Sequence, residues 1–217
     1  MAEPAQRRLT PKGQATRDRI LDAAADLIAT TGLSTLTMVA IRKAASVSGS
    51  QLTHYFPDRQ ALLRALIERQ IHAVIASQGR LETFDDLERW LGLTLRRLRE
   101  SGFSGTPTYH GLAGQLAKSD AALREVLADG YRQWITVLED GIREMRQRGL
   151  LIDDADPHQL AVVLVGAHQA GGTVAFVYRQ EWPQADALRF AVNRVRRYAA
   201  DPAERTPRPP RRRRRTA

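Results

Sequence analysis

The sequence predicts an all-α protein of about nine helices. Apolar residues recur at helical spacing through most of the chain, as Ile20, Ala24 and Ile28 do, and sustained period-2 alternation is almost absent. Glycines such as Gly32 follow several apolar stretches, as they commonly do just past a helix end, and Asp156-Pro157 is a strong helix-start signal.

The predicted helices divide the chain into two units. A first unit at 14–78 and a second at 83–200 are flanked by a flexible basic arm at 1–13 and a disordered Arg-rich tail at 201–217, whose composition cannot bury a core. The helices are expected at about 14–31, 37–45, 49–55, 59–77, 84–100, 109–118, 120–148, 156–179 and 184–200.

The positive charge lies at the two ends of the chain. The formal net charge is +9, of which residues 1–60 carry +3, residues 61–200 only +1, and residues 201–217 carry +5. Such a distribution favours a polyanionic partner, although a solubilising role for the tail stays open. The absence of cysteine excludes disulfides and thiolate chemistry, and residues 1–30 contain no apolar signal-like segment, so a cytoplasmic location is expected. A bacterial, nucleoid-associated setting is implied only by the family resemblance given below.

One uncharged stretch, 161–178, approaches the length of a membrane span. It contains His168, Gln169 and Thr173, which are costly in lipid, so a helix buried in a protein interface explains it better and no membrane partner is expected. The small residues Gly171 and Gly172 allow close helix approach. They place this helix in a dimer seam, to be completed on the last helix by Leu188, Ala191, Val192 and Val195.

Two short helices separated by three or four residues form a helix-turn-helix pattern at about 37–56. In such a motif the second helix lies in the DNA major groove, with the residues of its N-terminal part at the base edges. Its core is expected to contain Leu36, Val39 or Ala40, Ile41, Ala44, Val47, Leu52 and Phe56.

The outward face of the second short helix is polar and suited to DNA. It presents Gly49, Ser50, Gln51, Thr53 and His54. Gln51 can pair bidentately with adenine. Thr37, Tyr55 and Arg59 flank this face and suit phosphate contacts, whereas Arg42 is either a further phosphate contact or a solvated residue. By pattern alone, a short solvated helix in a helical bundle is an equal alternative.

Residues 14–74 resemble the DNA-binding domain of the tetracycline-repressor (TetR) family. The resemblance rests on ILDAAADLI at 20–28, Gly32, Thr37, Ile41, AASVS at 44–48 and LTHYFPDRQALL at 52–63. It implies an all-helical homodimer whose last two helices pair into a four-helix bundle and whose C-terminal domain binds a small effector. The chain departs from the family at Ser46, where glycine is usual, at Arg42, where alanine is usual, and at Ser50 and Thr53, which replace glycine and tyrosine.

Several aromatic or polar residues on the apolar helices of the second unit could form the effector pocket, since aromatic walls with a few polar groups suit small molecules. They are Trp90, Phe103, Tyr109, His110, Trp134, His168 and Phe176, each of which could instead be ordinary core. The five histidines lack metal-ligand spacing, and no phosphate loop or nucleophile elbow occurs, so neither a metal, a cofactor nor an enzyme activity is expected.

The expected function is a regulator, a repressor released from a palindromic operator in double-stranded DNA by an unidentified small-molecule effector. The alternative is a sequence-nonspecific nucleic-acid-binding protein driven by the Arg-rich tail.

Overall fold

The computed structural model describes residues 9–103, 109–116 and 120–201, and within them it is all-helical apart from one isolated bridge between Leu151 and Ala199. A short 3-10 turn, Leu33–Thr35, follows the first helix. The helices are α1 Pro11–Thr31, α2 Met38–Ala44, α3 Gly49–Tyr55, α4 Arg59–Ala76, α5 Phe84–Glu100, α6 Tyr109–Leu116, α7 Ala121–Gln147, α8 Pro157–Tyr178 and α9 Trp182–Arg196. The predicted all-α fold class is confirmed.

Local capping explains where the helices begin and why two boundaries differ from the prediction. The Thr10 side chain accepts a hydrogen bond from the Gly13 N–H and Pro11 occupies the first turn, so α1 begins three residues before the expected Gln14. Residues 11–13, expected in a flexible arm, are therefore helical. Helix α9 begins at Trp182 and ends at Arg196, instead of covering 184–200.

The helix-turn-helix is held by a small core that extends into α1 and α4. Leu36, Ile41, Val47, Leu52 and Phe56 are buried, as predicted. Of the alternatives Val39 and Ala40, Val39 is 59% exposed and Ala40 is half-buried. The assignment of Ala44 is wrong, because it is exposed and Ala45 is buried instead. Ala45 is the residue just after α2, and the left-handed turn at Ser46 follows it, so Ala45 lies in the core.

Helices α4 and α7 run side by side in the same direction and join the two units. At their N-terminal ends the Gln60 amide donates to both carboxylate oxygens of Asp120, at 3.0 and 3.2 Å. At their C-terminal ends α7 meets the segment after α4 at Gly141, where an added Cβ would lie 2.3 Å from the Leu81 carbonyl oxygen. Since α7 has 27 residues, its two ends lie about 40 Å apart.

Helices α8 and α9 pack against each other within the protomer, which corrects the residues assigned to the dimer seam; the dimer through these two helices stays a prediction. An added Cβ at Gly171 would lie 2.9 Å from the Gln184 Cα and 3.0 Å from the Ala187 Cβ, so Gly171 allows α8 to pack closely on α9. Four residues assigned to the seam are at most 1% exposed and belong to the intramolecular core: Leu188, Ala191, Val192 and Val195. The small residues of α8 thus correctly predict a close helix contact, but the contacting helix belongs to the same chain.

A different face of α8 and α9 is exposed and apolar. On α8 it contains two valines near the start of the helix and two near its end, and on α9 it contains Phe190, which is 72% exposed. By length and composition α8 could also cross a membrane, with 39% of its most apolar window buried. We call this surface the α8–α9 face; its large apolar members are Val162, Val163, Val174, Val177 and Phe190.

Candidate DNA-binding surface and effector site

The loop before α2 is held in place by the side chain of Arg59. Its Nε donates to the Leu36 carbonyl oxygen and its Nη2 to the Leu33 carbonyl oxygen, both at 3.0 Å, and the side chain is partly buried. The guanidinium therefore binds the protein's own backbone, where the sequence suggested a phosphate contact. By holding this loop, Arg59 positions Thr37, whose hydroxyl caps α2 by accepting from the Ala40 N–H.

Helix α3 presents a polar surface, and its start is firmly capped. The Ser48 hydroxyl accepts from the Gln51 N–H at 3.1 Å, and the Gln51 Oε1 accepts from the Ser48 N–H at 3.0 Å, which is a complete capping box. Leu52 is the one fully buried residue of α3, and the half-buried Tyr55 packs against the same core. The predicted contact residues Gly49, Ser50, Gln51, Thr53 and His54 are all exposed.

Two of these side chains are already engaged within α3. The Gln51 amide oxygen serves the capping box, so bidentate pairing with an adenine, which needs both amide atoms, requires this box to open. The Thr53 hydroxyl donates to the Gly49 carbonyl oxygen at 3.0 Å and keeps only its acceptor capacity. Ser50 and His54 are exposed on the same helix, with the Ser50 hydroxyl 3.0 Å from that of Ser48.

The surroundings of α3 favour an anionic partner. No Asp or Glu occurs between Asp26 and Asp58, whereas Arg42 and Lys43 are both exposed in the last turn of α2. Lys43 was missed by the sequence argument, although its position beside Arg42 was the available signal. Tyr55 is half-buried, with its ring edge-on to His54 at 5.0 Å between centroids.

Ser46 adopts a backbone conformation that favours glycine, the residue that is usual at this position in the resembled family. Its φ is +52°, in the left-handed region where a side chain is strained and glycine is not. The Ser46 N–H bonds the Lys43 carbonyl oxygen and the Val47 N–H bonds the Arg42 carbonyl oxygen, which closes the turn between α2 and α3. The turn therefore keeps its geometry with serine where glycine is usual.

In the second unit, three of the predicted pocket residues come together from three helices. The His168 ring of α8 lies 6.0 Å from the Trp90 ring of α5 in a near-parallel arrangement, and 4.9 Å from the Trp134 ring of α7 edge-on. Trp90 and Trp134 are buried, and His168 is half-buried. His168 thus faces the interior of its own unit, beside two other pocket candidates.

This aromatic cluster carries polar groups suited to a ligand. The Trp134 indole N–H is buried at 1% exposure and has no hydrogen-bond partner among the described residues, which is unusual because such a buried donor costs free energy. One residue beyond His168, the Gln169 amide donates to the Tyr131 hydroxyl at 2.8 Å. Burial raises the pKa of Tyr131, so its hydroxyl stays protonated at neutral pH.

The other predicted pocket residues are placed less closely. Phe103 is half-buried and has a φ of +55° directly after Gly102, in the turn that ends α5. Phe176 is half-buried on α8. Tyr109 and His110 begin α6, but their side chains lie outside the described residues. Within the described ranges, no group of three or more His, Cys, Asp or Glu side chains is placed to hold a metal ion.

The capped, polar α3 lies on a helix-turn-helix scaffold, which is joined to a helical second unit with an aromatic cluster. Residues 20–66 match the model of the tetR family of bacterial regulatory proteins. This match covers the helix-turn-helix unit alone, and the fold of the described residues is similar to that of solved TetR-family regulators. Regulators of this family bind DNA and small-molecule effectors and act as dimers.

Solved structures show the same fold over nearly their whole length. A TetR regulatory protein from Rhodobacter sphaeroides is 20% identical, with a TM-score of 0.71 over 82% of this chain and 97% of that one. Reduced NemR from E. coli is 22% identical, with a TM-score of 0.71 over 86% and 99%. A TetR regulator from Chloroflexus aurantiacus is 16% identical, with a TM-score of 0.74 over 88% and 99%. No curated protein sequence matches the chain.

Proposed function

We propose that the protein is a homodimeric repressor that leaves a palindromic operator when a small molecule binds its second domain. The observation that carries this proposal is the exposed polar face of α3, capped at Ser48 and set in a stretch without acidic residues. A surface of this kind fits the DNA major groove, where small and amide side chains approach base edges and nearby cations contact phosphates. The protein would act in the bacterial cytoplasm.

The α8–α9 face supports the dimer. Its exposed valines and Phe190 lie on two adjacent helices, and a second copy would cover them through a two-fold axis. Such a dimer presents two α3 helices, and an operator with two-fold symmetry requires them to lie about 34–36 Å apart. The same face explains why α8 has the composition of a membrane span, because it is then buried on both sides by protein.

The aromatic cluster supports the effector site. Trp90, Trp134 and His168 lie on α5, α7 and α8, while α7 also bonds the first turn of α4 through Asp120 and Gln60. A ligand that displaces α7 would therefore act on the helix that positions α3. Since coupling between two sites is reciprocal, operator binding should weaken effector binding by the same factor.

Binding-site selection with the full-length protein tests the DNA half of this proposal. We expect a palindromic consensus with half-sites about one helical turn apart. The variant Arg42→Ala should weaken operator binding and lower the slope of log K against log salt by about 0.9, as expected for one lost phosphate contact. Arg97→Ala, an exposed arginine of α5, is the matched control and should leave both unchanged. Recovery of random sequences would contradict the proposal.

Tryptophan fluorescence tests the effector half. Two of the three tryptophans, Trp90 and Trp134, belong to the cluster and are buried, so a small molecule that binds there should change their emission. Compounds that do so should also release operator DNA, and Trp134→Phe should weaken both effects together by removing the unpaired indole N–H. A compound that alters the emission and leaves operator affinity unchanged would argue against coupling.

A further inference from the structure

The Gln51 amide is oriented by a backbone group that has only one hydrogen-bonding role. The Ser48 N–H can donate and cannot accept, so the amide atom 3.0 Å from its nitrogen is the oxygen, Oε1. The amide nitrogen Nε2 is on the other side of the amide group, and it has no partner among the residues that the structure describes. The capping box thus leaves Gln51 with its oxygen in use and two N–H donors free.

Gln51 lies beside the outermost residues of α3. At about 100° per residue, Ser50 and His54 lie on the side of the helix opposite the buried Leu52. Gln51 is exposed next to them in the first turn, and this N-terminal part of the second helix in a helix-turn-helix is the part that meets base edges. When α3 lies in the major groove, the free Nε2 donors of Gln51 are therefore within reach of a base edge.

The four bases differ in what they offer to a group that can only donate. In the major groove guanine presents two acceptors, N7 and O6, and no donor of its own. Adenine presents its N6 amino group beside N7, cytosine presents only an amino group, and thymine presents the single acceptor O4 beside a methyl group. A donor-only group thus makes most hydrogen bonds with guanine, and it meets a second donor on adenine or cytosine.

We propose that Gln51 reads guanine in the operator by donating from Nε2 to N7 and O6 while the capping box stays closed. This inference rests on the proposed function, because α3 must lie in the major groove. Pairing with adenine would need Oε1 as well, and the Ser48 N–H would then lose its acceptor. Guanine requires no such exchange, so the side-chain conformation that starts the helix is also the one that reads the base.

The variant Gln51→Glu tests the donor and keeps the cap. Glutamate after serine at this spacing also forms a capping box, so a carboxylate oxygen can still accept from the Ser48 N–H. The atom that replaces Nε2 is an oxygen, which accepts and cannot donate. In binding-site selection the parent should choose guanine at one position of each half-site, and the variant should lose that preference by about five- to hundredfold and favour cytosine there.

The base preference at one position is the readout, because the added negative charge weakens binding to all sequences alike. The inference is overturned if the variant keeps the guanine preference. It is also overturned if the position that responds to the variant is an adenine in the parent's consensus, since the capping box would then open on DNA. A palindrome without any guanine that depends on Gln51 overturns it as well and leaves the repressor proposal standing. Recovery of no palindrome defeats the repressor proposal, and this inference with it.

Base analogues test the same contact without any change to the protein. At the guanine position, 7-deazaguanine removes N7, whereas hypoxanthine keeps N7 and O6 and lacks only the minor-groove amino group. We expect 7-deazaguanine to weaken operator binding by the parent about fivefold or more, and hypoxanthine, the matched control, to change it less than about twofold. Binding by Gln51→Glu should not respond to 7-deazaguanine. Equal losses with the two analogues, or equal responses of the two proteins, would overturn the contact.

Discussion

Replacement of Gly141 by alanine should destabilise the protein even though alanine is the better helix former. The new Cβ would lie 2.3 Å from the Leu81 carbonyl oxygen, 3.0 Å from the Leu81 carbonyl carbon and 3.4 Å from its Cβ. Ordinary carbon–oxygen contacts need about 3.2 Å, so α7 and the segment after α4 must separate by nearly 1 Å. Overpacking of this kind typically costs about 1–3 kcal/mol, against a helix-propensity gain of about 0.5–1 kcal/mol.

The matched control for this variant is Gly92→Ala in α5. Gly92 is exposed and an added Cβ would meet nothing within 4 Å, so this variant should gain the propensity term alone. Urea denaturation monitored by circular dichroism should place Gly141→Ala about 1–3 kcal/mol below Gly92→Ala in unfolding free energy. That difference corresponds to several degrees in Tm for a protein of this size. Equal stability of the two variants would refute the close approach of α7 to Leu81.

Three further substitutions test other parts of the structure. Ser46→Gly should raise the unfolding free energy by up to about 1 kcal/mol, because relief of left-handed strain of about 1–2 kcal/mol exceeds the entropic cost of glycine; a loss of stability in urea would contradict the turn geometry. Arg59→Ala should lower the unfolding free energy by about 1.5–3 kcal/mol, since two backbone carbonyls lose a charged donor. An unchanged denaturation midpoint would count against the role of Arg59 in holding the loop before α2. Phe190→Lys should weaken the dimer at least hundredfold in sedimentation equilibrium, because covering its exposed surface is worth about 3–4 kcal/mol per protomer; an unshifted dimer would exclude Phe190 from the interface.

Helix boundaries could be predicted closely because their signals are local. The limits of α3 and α5 match the sequence-based ranges, since Ser48 and Thr83 cap them and the periodic residues lie within the helices themselves. The start of α1 was missed because Thr10 and Pro11 stand in a polar, basic stretch without apolar periodicity. A cap with proline after it, the same signal that located α8, would have found it.

The partners of a helix face are harder to predict than the face itself. Gly171 correctly indicated a close helix contact, but spacing along one helix contains no information on whether the contacting helix belongs to the same chain. The same limit applies to the aromatic cluster, whose members are separated by more than 30 residues in sequence. Which of the candidate aromatics meet depends on how α5, α7 and α8 pack.

The role of an exposed polar residue depends on what its neighbours already bind. Gln51 was assigned to base recognition because a glutamine on an exposed helix face can pair with adenine. The sequence SGSQ at 48–51 also fits a capping box, and in the structure the amide takes that second role. Both roles use the same amide oxygen, so the sequence alone cannot rank them; their relative free energies in the presence of DNA decide.

Contacts near both ends of α4 couple the orientation of this helix to that of α7. It is tied to α7 at Gln60 and is pressed against α7 through Leu81 just beyond its other end, with 18 residues, or about 27 Å, between its ends. A displacement of 1 Å at the Leu81 end would turn the helix by about 2° around Gln60. Small repacking around α7 would therefore be converted into rotation of the unit that carries α3, without any need to unfold or slide a helix.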